Sequence, residues 1–585
     1  VVLLRRVFFQ ILLFAALSGS VLAGTVGGML SSNTVWDSSE SPYVLTGHVV
    51  VASNALLEIH PGTEVRLPAD SAIVVYGTLD AMGDTNDPIV FTNHIPGTNG
   101  YGIAFLGTGT NGMLSTTGIF EHCSFYSLRA PVYETVEYPG AVYGIGARLS
   151  VSNCTFEETL IQAVQVVDSR VIVSGSRMRD VHEAVRLVRS SAMIVSNRIS
   201  ELPVEYDAID VNFSWTGPGD DQVVIEGNEI WDGGDDGIDL GTSPAIVRRN
   251  IVRSFADKGI SLGEGSHATL EHNLIVGCGQ GISVRDYSNP VMLNNTVVGC
   301  SSGVYSKDYG RGSLSNSIVW DCSTSIRVAS GSKLNVGYSL IGGTGVWTGE
   351  ANINADPELT PTFRLRNTSP CIDAGVNLDA GHLDLDGELF WDHPEHSNVV
   401  SAVDIGADEF VDEDGDAVAD YWERLQCGST NMDAVSDDDS DNLNLLGEYE
   451  HSTDPDNADS DNDQLPDGWE VSYSLDPLSG DDAELDPDSD DMSSWEEFVA
   501  DTDPNSPTSL LQISAMSIEE EGVRLTWQGG VWARQLLQTR TALTGMTEVW
   551  STILTNEPPT AVVSSRVDKA FTPSTRYYRI LIDPQ

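Results

Sequence analysis

Apolar and polar residues alternate in short runs through most of the first 340 residues or so, and the runs repeat. Aligning Ala/Gly-Ile/Val pairs gives the rows AVQVV (from Ala163), AVRLV (Ala184), AIDVN (Ala208), GIDLG (Gly237), GISLG (Gly259), GISVR (Gly281), GVYSK (Gly303) and SIRVA (Ser325). The later rows recur every 22 residues, at 237, 259, 281, 303 and 325. Between them lies a second apolar run, in NEIW, NIVR, NLIV, NTVV and NSIV, whose leading Asn falls at 197, 228, 250, 273, 295 and 316. Alternation with period two marks a strand. Short strands at a fixed spacing, with no helical stretch between, predict a solenoid. The economical form is a right-handed parallel β-helix, each coil pairing with the next at ~4.8 Å per rung.

A rung repeat stacks like residues on like. The Asn positions predict an internal amide ladder with a structural role. Cys278, Cys300 and Cys322, also 22 apart, predict a column of buried thiols, and Cys123 and Cys154 sit in matching contexts, HCSF and NCTF. Thiols in such a column behave as small hydrophobes. Free thiols are therefore expected rather than disulfides, although rung distance leaves a vertical bridge open. Residues 49–92 read as first coils, with strands broken by Pro-Gly and Gly.

Beyond the coils stand INADPELTPTFRLRNTSPCIDAG, DLDGE and VDIGADEF. These motifs resemble the closing region of bacterial right-handed β-helix proteins of the pectate-lyase-like superfamily. The resemblance spans roughly residues 36–410 and implies the fold. It implies little about activity, because that fold hosts lyases, hydrolases, epimerases and inert adhesins. The family's catalytic signatures, a paired-Asp plus Gly-His-Gly set or an Asp-Pro-His-Asp set, find no full match. GDDGIDLG has adjacent acids but lacks the downstream His and Arg-x-Lys companions.

Charge changes the picture after residue 410. The chain carries 86 acidic and 30 basic residues, a formal charge of -56. That excludes nucleic acid as a natural partner, since phosphate binding needs Lys and Arg. Residues 411–505 hold 32 acids and one base, Arg424. The acids lie on a grid in four twelve-residue loops: DEDGDAVADYWE (412–423), DDDSDNLNLLGE (437–448), DSDNDQLPDGWE (459–470) and DPDSDDMSSWEE (486–497). Acids fill positions 1, 3 and 5, an apolar residue fills 7, and Glu fills 12. This is the ligand plan of an EF-hand loop, with side chains at 1, 3 and 5, a backbone carbonyl at 7, often a water at 9 and a bidentate Glu at 12. The predicted ligands are Asp412, Asp414, Asp416, Val418, Asp420 and Glu423; Asp437, Asp439, Asp441, Leu443 and Glu448; Asp459, Asp461, Asp463, Leu465, Asp467 and Glu470; and Asp486, Asp488, Asp490, Met492 and Glu497. Hard oxygen ligands favour Ca²⁺. The array resembles the calcium repeats of bacterial thrombospondin type 3-like and dockerin-like modules. It departs from the plan at position 6, where Ala417, Asn442, Gln464 and Asp491 replace the usual Gly; this predicts weak binding, in the millimolar range of extracellular modules. A disordered acidic linker is the alternative, but it does not explain the recurring Glu.

The solenoid carries a second candidate. The residue after Ile or Val in each row points outward, giving the column Gln165, Arg186, Asp210, Asp239, Ser261, Ser283, Tyr305 and Arg327. Asp210, Asp239, Asp236 and Lys258 are the candidate catalytic residues, with Asp207, Asp235, Asp257 and Arg285 beside them. Two carboxylates ~5 Å apart repel by roughly 3 kcal/mol at an effective dielectric near 20. They would share a proton, as in a glycosidase, or hold a cation, as in a calcium-assisted lyase. The competing reading is that each Asp beside Gly bonds its own turn. The extra loop NFSWTGPGDD adds Phe213 and Trp215 as sugar-stacking surfaces.

The ends complete the expectation. Arg5 and Arg6, the run VFFQILLFAALSG and Val21-Leu22-Ala23 read as an export signal cleaved after Ala23, with a signal anchor the alternative. The tail alternates in short runs from LLQISAMSI to RYYRILI, predicting a small β-sandwich. The predicted chain is mainly β: signal peptide 1–23, β-helix 34–355, closing region 356–411, calcium repeats 412–507 and C-terminal sandwich 508–585. It is expected to be bacterial and secreted, extracellular or on the outer cell surface, to bind calcium and polysaccharide or to act in adhesion, and to have no transmembrane anchor when mature. The rival is a polysaccharide lyase or glycoside hydrolase; a third reading is a spacer.

Overall fold

A computed structural model describes residues 24–93, 100–107, 114–213, 222–377, 383–394, 396–541, 549–569 and 575–583. The expected export segment, its cleavage point after Ala23, and Trp215 lie outside these residues. The chain divides into two compact units, one reaching Val411 and one running from Asp412 onward, with Thr360–Thr362 grouped with the second.

The first unit is a right-handed β-solenoid of about 14 turns. Each coil contributes a strand to each of three parallel faces. In one coil these are Lys258–Gly263, Thr269–Glu271 and Leu274–Val276, which pair with Gln280–Val284, Val291–Leu293 and Thr296–Val298 of the next. The strand Tyr43–Val51 serves two faces at once, pairing through Tyr43 with Val65 and through Val49 with Ile73. Pairing begins before residue 34, where the sequence reading placed it, because Gly24–Leu30 already lies parallel to Tyr43–Val51. Inward residues form one continuous apolar core from Trp36 to Ile341. Phe91, Phe125 and Phe156 stack within it on successive rungs, 5.0 and 4.4 Å apart.

The amide ladder is present. Asn197 Nδ2 donates to Asn228 Oδ1 at 2.9 Å, Asn228 to Asn250 at 2.9 Å, Asn250 to Asn273 at 3.0 Å and Asn273 to Asn295 at 2.9 Å. Each of these acceptor oxygens also takes the backbone N–H of the preceding ladder residue. Asn316 corrects the alignment. Thr296 pairs with Ile318, so Ser317 stands opposite Asn295 and continues the column through its hydroxyl. Asn316 sits one step outside, where its side chain bonds both N–H and C=O of Val376. The position demands a short side chain whose acceptor meets an amide one rung away, and serine meets that demand as well as asparagine. All seven cysteines are free, and the Cys278 N–H donates to Cys300 Sγ at 3.4 Å.

The described residues of the closing region form no regular strand and are held by buried acids. Asp384 accepts backbone N–H bonds from Asp386, Glu388 and Glu409; Asp404 accepts those of Asp373 and Phe410; Glu409 accepts those of Trp391 and Asp404. DLDGE and VDIGADEF are thus staples for backbone that no sheet satisfies. They fasten this segment to the coils through Ala407 N–H to Thr296 Oγ1 at 2.9 Å and Asn294 Nδ2 to the Asp404 carbonyl at 3.1 Å.

Among its described residues the second unit has four seven-residue helices, α1 (Asp420–Gln426), α2 (Leu445–His451), α3 (Asp467–Tyr473) and α4 (Ser494–Ala500). After them come two three-stranded antiparallel sheets around Val523, Leu525, Trp527 and Leu537. Among the described residues no helix is long and apolar enough to cross a membrane.

Replacing Asn250 by Ala removes the bonds it gives and takes, leaving Asn228 donors unmet in the interior. We expect a loss of about 2–4 kcal/mol, from two or more buried hydrogen bonds, measured by denaturant unfolding of the full chain. A loss below about 0.5 kcal/mol, within the range of an ordinary surface substitution, would show that the ladder does not stabilise the coils.

Candidate functional site

Rung pairing sets the acidic face. Gln165, Arg186, Asp210, Asp239, Ser261, Ser283, Tyr305 and Arg327 are direct partners on successive rungs, as the repeat predicts. A second column runs beside it at the start of each strand and includes Asp236, Lys258, Gln280 and Ser302. Glu183 and Asp207 continue it upstream by the same register, and Gln162 Nε2 donates to Glu183 at 3.0 Å. Glu183 was missed by the sequence reading, though counting back one residue from the start of each row would have found it.

The two columns bring four carboxyls together, those of Asp207, Asp210, Asp236 and Asp239, and Asp235 joins them. One oxygen each of Asp207, Asp210 and Asp239 lie within 4.8 Å of one another, as do those of Asp207, Asp235 and Asp236. Cations flank the group. Arg186 reaches Asp210 at 3.4 Å and Glu183 at 3.2 Å, and Arg285 reaches Asp239 at 3.5 Å and Asp286 at 3.0 Å. Asn212 donates to both oxygens of Asp210, at 2.7 and 2.9 Å. Burial, reinforced by Asp236 and Asp239, pushes the Asp207 carboxyl up to about 8. Burial also lifts Asp210 to about 7 against the pull of Arg186, and Asp236 to about 6 against that of Lys258.

Lys258 does not stand free as a proton acceptor. Its ammonium donates to both oxygens of Asp236, at 2.9 and 3.2 Å, and is paired with Asp257. Burial favours its neutral form, but the two carboxylates outweigh burial and raise its pKa. It therefore stays charged, as a clamp on Asp236. Asp207 accepts the Asp236 N–H, one rung on, at 3.0 Å, and Asp210 and Asp239 meet arginines from other rungs; the bond from Asn212 to Asp210 is the local one. Phe213 is exposed beside this face.

The acidic loops share one geometry, repeated four times. The position-6 N–H donates to the position-1 carboxylate: Ala417 to Asp412 at 3.0 Å, Asn442 to Asp437 at 3.2 Å, Gln464 to Asp459 at 3.0 Å and Asp491 to Asp486 at 2.9 Å. The position-7 N–H donates to the position-5 carboxylate in Val418, Leu443, Leu465 and Met492. All four position-6 residues adopt the left-handed backbone that glycine usually supplies, with φ of 77, 76, 82 and 75°. Position 4 is left-handed as well, at Gly415, Ser440, Asn462 and Ser489. A helix starts at position 9 each time and carries the position-12 Glu in its first turn.

This draws carboxylates together that lack partners. One oxygen each of Asp412, Asp414 and Asp416 lie within 4.8 Å of one another, as do those of Asp437, Asp439 and Asp441. Buried oxygens of Asp416, Glu423, Asp439, Asp461, Asp463, Glu470, Asp488, Asp490 and Glu497 accept no hydrogen bond. Burial and the neighbouring acids raise Glu470 to about 9 and Glu448 to about 8, and Glu423 and Glu497 to about 7. Two residues of the spacing plan are engaged elsewhere. As first residues of their helices, Asp420 and Asp467 reach back to position 2 and accept the Glu413 and Ser460 N–H at 3.1 and 2.9 Å. They brace the loop opening.

Residues 184–356 match the family described as "Right handed beta helix region". Among solved structures, a double mutant of the periplasmic alginate epimerase AlgG aligns at 14% identity and TM-score 0.26, over 53% of this chain and 77% of its own. The A-module of the Azotobacter vinelandii mannuronan C-5 epimerase AlgE6 aligns at 12% identity and TM-score 0.20, over 57% and 92%. Likeness at that level bears on neither activity nor ligand. A search of curated proteins returned no match.

The raised acids of the solenoid face give a pH signature. A carboxyl that binds its proton more tightly in the fold contributes stability fully below its unfolded pKa, about 4. That contribution is lost as pH rises through the folded values of about 8, 7 and 6 for Asp207, Asp210 and Asp236. In chelator, Asp207→Asn should raise the melting midpoint relative to wild type at pH 9 and leave it close to wild type at pH 4. A difference independent of pH would contradict the crowded-carboxyl geometry.

Proposed function

We propose that this is an exported calcium-binding protein whose solenoid face takes an acidic polysaccharide, displayed outside the cell on a segment folded around Ca²⁺. The observation that carries the calcium reading is the set of unpartnered buried carboxylate oxygens at loop positions 3, 5 and 12, each position represented in three of the four loops. A buried ionised carboxylate without a donor or a counter-charge is expensive. The bases of this segment cannot supply that charge, since Arg424 is alone among 32 acids. A hard divalent cation takes 6–8 oxygens, a demand that three aspartates, a backbone carbonyl and a bidentate Glu can meet. Asp412, Asp414, Asp416 and Glu423 would hold it in the first loop. The others would use Asp437, Asp439, Asp441 and Glu448; Asp459, Asp461, Asp463 and Glu470; and Asp486, Asp488, Asp490 and Glu497, with the carbonyls of Val418, Leu443, Leu465 and Met492. Bound cation would supply folding energy here.

The polysaccharide reading rests on the row of outward groups. Along it Arg186, Asp239, Tyr305 and Arg327 are at least partly exposed and offer cations, an acceptor and an aromatic ring, while Gln165, Asp210, Ser261 and Ser283 are buried between them. An elongated, hydroxylated, repetitive ligand fits such a row. Arg186 and Arg285 would meet its carboxylates.

A second reading, polysaccharide cleavage, is favoured by the convergence of Asp207, Asp210 and Asp239. A shared proton there suits a glycoside hydrolase, and a cation beside Arg285 suits a lyase. Asp236 and the clamped Lys258 would position that group.

Two measurements decide. Limited proteolysis of the full chain should cut within residues 412–507 in chelator and spare them in millimolar Ca²⁺; an identical cleavage pattern in both refutes the calcium reading. Acidic polysaccharides should be retained by wild type and lost by Arg186→Ala with Arg285→Ala. New reducing ends or unsaturated products that vanish in Asp210→Asn would instead establish the enzyme. No retention and no product would reject both.

A further inference from the structure

We propose that the third acidic loop takes a carboxylate from outside its own twelve residues, Asp482, and that this residue is a ligand of the cation bound there. The inference rests on the calcium reading above and adds a residue that the spacing plan does not contain. The loops begin at residues 412, 437, 459 and 486, so the interval after the third is the longest. The extra length folds back. Gly480 lies against the loop, where a Cβ would be in van der Waals contact with Asp463 Cβ at 3.6 Å and Asp461 Cγ at 3.8 Å. A single 3₁₀ turn, Asp482–Glu484, follows.

That turn aims Asp482 inward. The residue is 6% exposed, and Glu470 is fully buried. Asp482 Oδ2 accepts the Asp476 N–H at 2.9 Å, which fixes the side chain and leaves Oδ1 without a hydrogen-bond partner. Both oxygens of Glu470 are likewise unpartnered. The charge of Asp482 bears on Asp461 and Asp463, and its carboxyl interacts with that of Glu470. Two ionised carboxylates have no donor to offer each other, so a cation between them reconciles the contact. The first and second loops receive neutral groups at comparable places. The Met432 N–H meets Glu423 at 2.9 Å, and the Thr453 hydroxyl meets Glu448 at 2.5 Å. A fifth acid raises the negative charge of the third site, and ligand charge count is one of the levers that sets Ca²⁺ affinity.

The test is a calorimetric Ca²⁺ titration of the full chain after chelation, on wild type, Asp482→Asn, Glu470→Gln and the double variant. Asp482→Asn is expected to weaken one binding step by about tenfold or more, the same step that Glu470→Gln removes. In the Glu470→Gln background it should have no further effect. An isotherm of Asp482→Asn that superimposes on wild type overturns the proposal, and so does further weakening in the double variant. Were Asp482→Asn to fail to fold, Asp482→Glu keeps the charge and should perturb that same step alone; an unchanged step overturns the assignment. A wild-type chain that binds no Ca²⁺ at all would instead defeat the calcium reading itself.

Discussion

Parallel in-register stacking governs the first unit: each side chain has a near-copy of its own environment one rung above and below. For apolar residues that is favourable everywhere, and the core from Trp36 to Ile341 is the result. For amides it is favourable because each group is donor and acceptor at once, so Asn197 through Asn295 satisfy one another in series. For carboxylates it is unfavourable. Asp207 against Asp236, and Asp210 against Asp239, are the same principle applied to like charges. The fold tolerates them by bringing in Arg186, Lys258 and Arg285 from neighbouring rungs and by holding protons at neutral pH. A place where the stacking rule costs energy is where a function is most reasonably sought.

The second unit answers a different problem. Its acidic loops gather carboxylates with little apolar surface between them, although the position-7 residues Val418, Leu443 and Leu465 are buried. Backbone amides turned inward by the left-handed residues at positions 4 and 6 meet part of the charge. The buried oxygens left over define the chemistry of the ligand they suit: small, hard and positively charged. The closing region shows the contrast. Asp384, Asp404 and Glu409 are as deeply buried, yet both oxygens of each accept backbone amides, and they act as staples. Donor count separates a structural acid from a candidate ligand more sharply than burial does.

Much of this was legible from spacing. The 22-residue period gave the solenoid, the outward column from Gln165 to Arg327 and the free thiols, because a repeat fixes which residues stack. It misled at Asn316, where the ladder passes to Ser317, since a motif letter was followed instead of the strand register. The concern about position 6 proved local. Ala417 and Gln464 take the left-handed backbone without glycine, their N–H groups being drawn to the position-1 carboxylates.

What the sequence determined by itself is whatever depends on distance along the chain: the coil repeat, the rows of each face and the loop grid at positions 1, 3, 5 and 12. Tertiary structure alone decided which of those groups meet others from far away. It clamped Lys258 onto Asp236, turned Asp420 and Asp467 back to brace their loops, and buried Asp482 with one oxygen unpartnered. The physical reason is that a periodic pattern specifies neighbours at fixed intervals. Whether a carboxylate finds a donor, a cation or another carboxylate depends on turns and insertions that break the period.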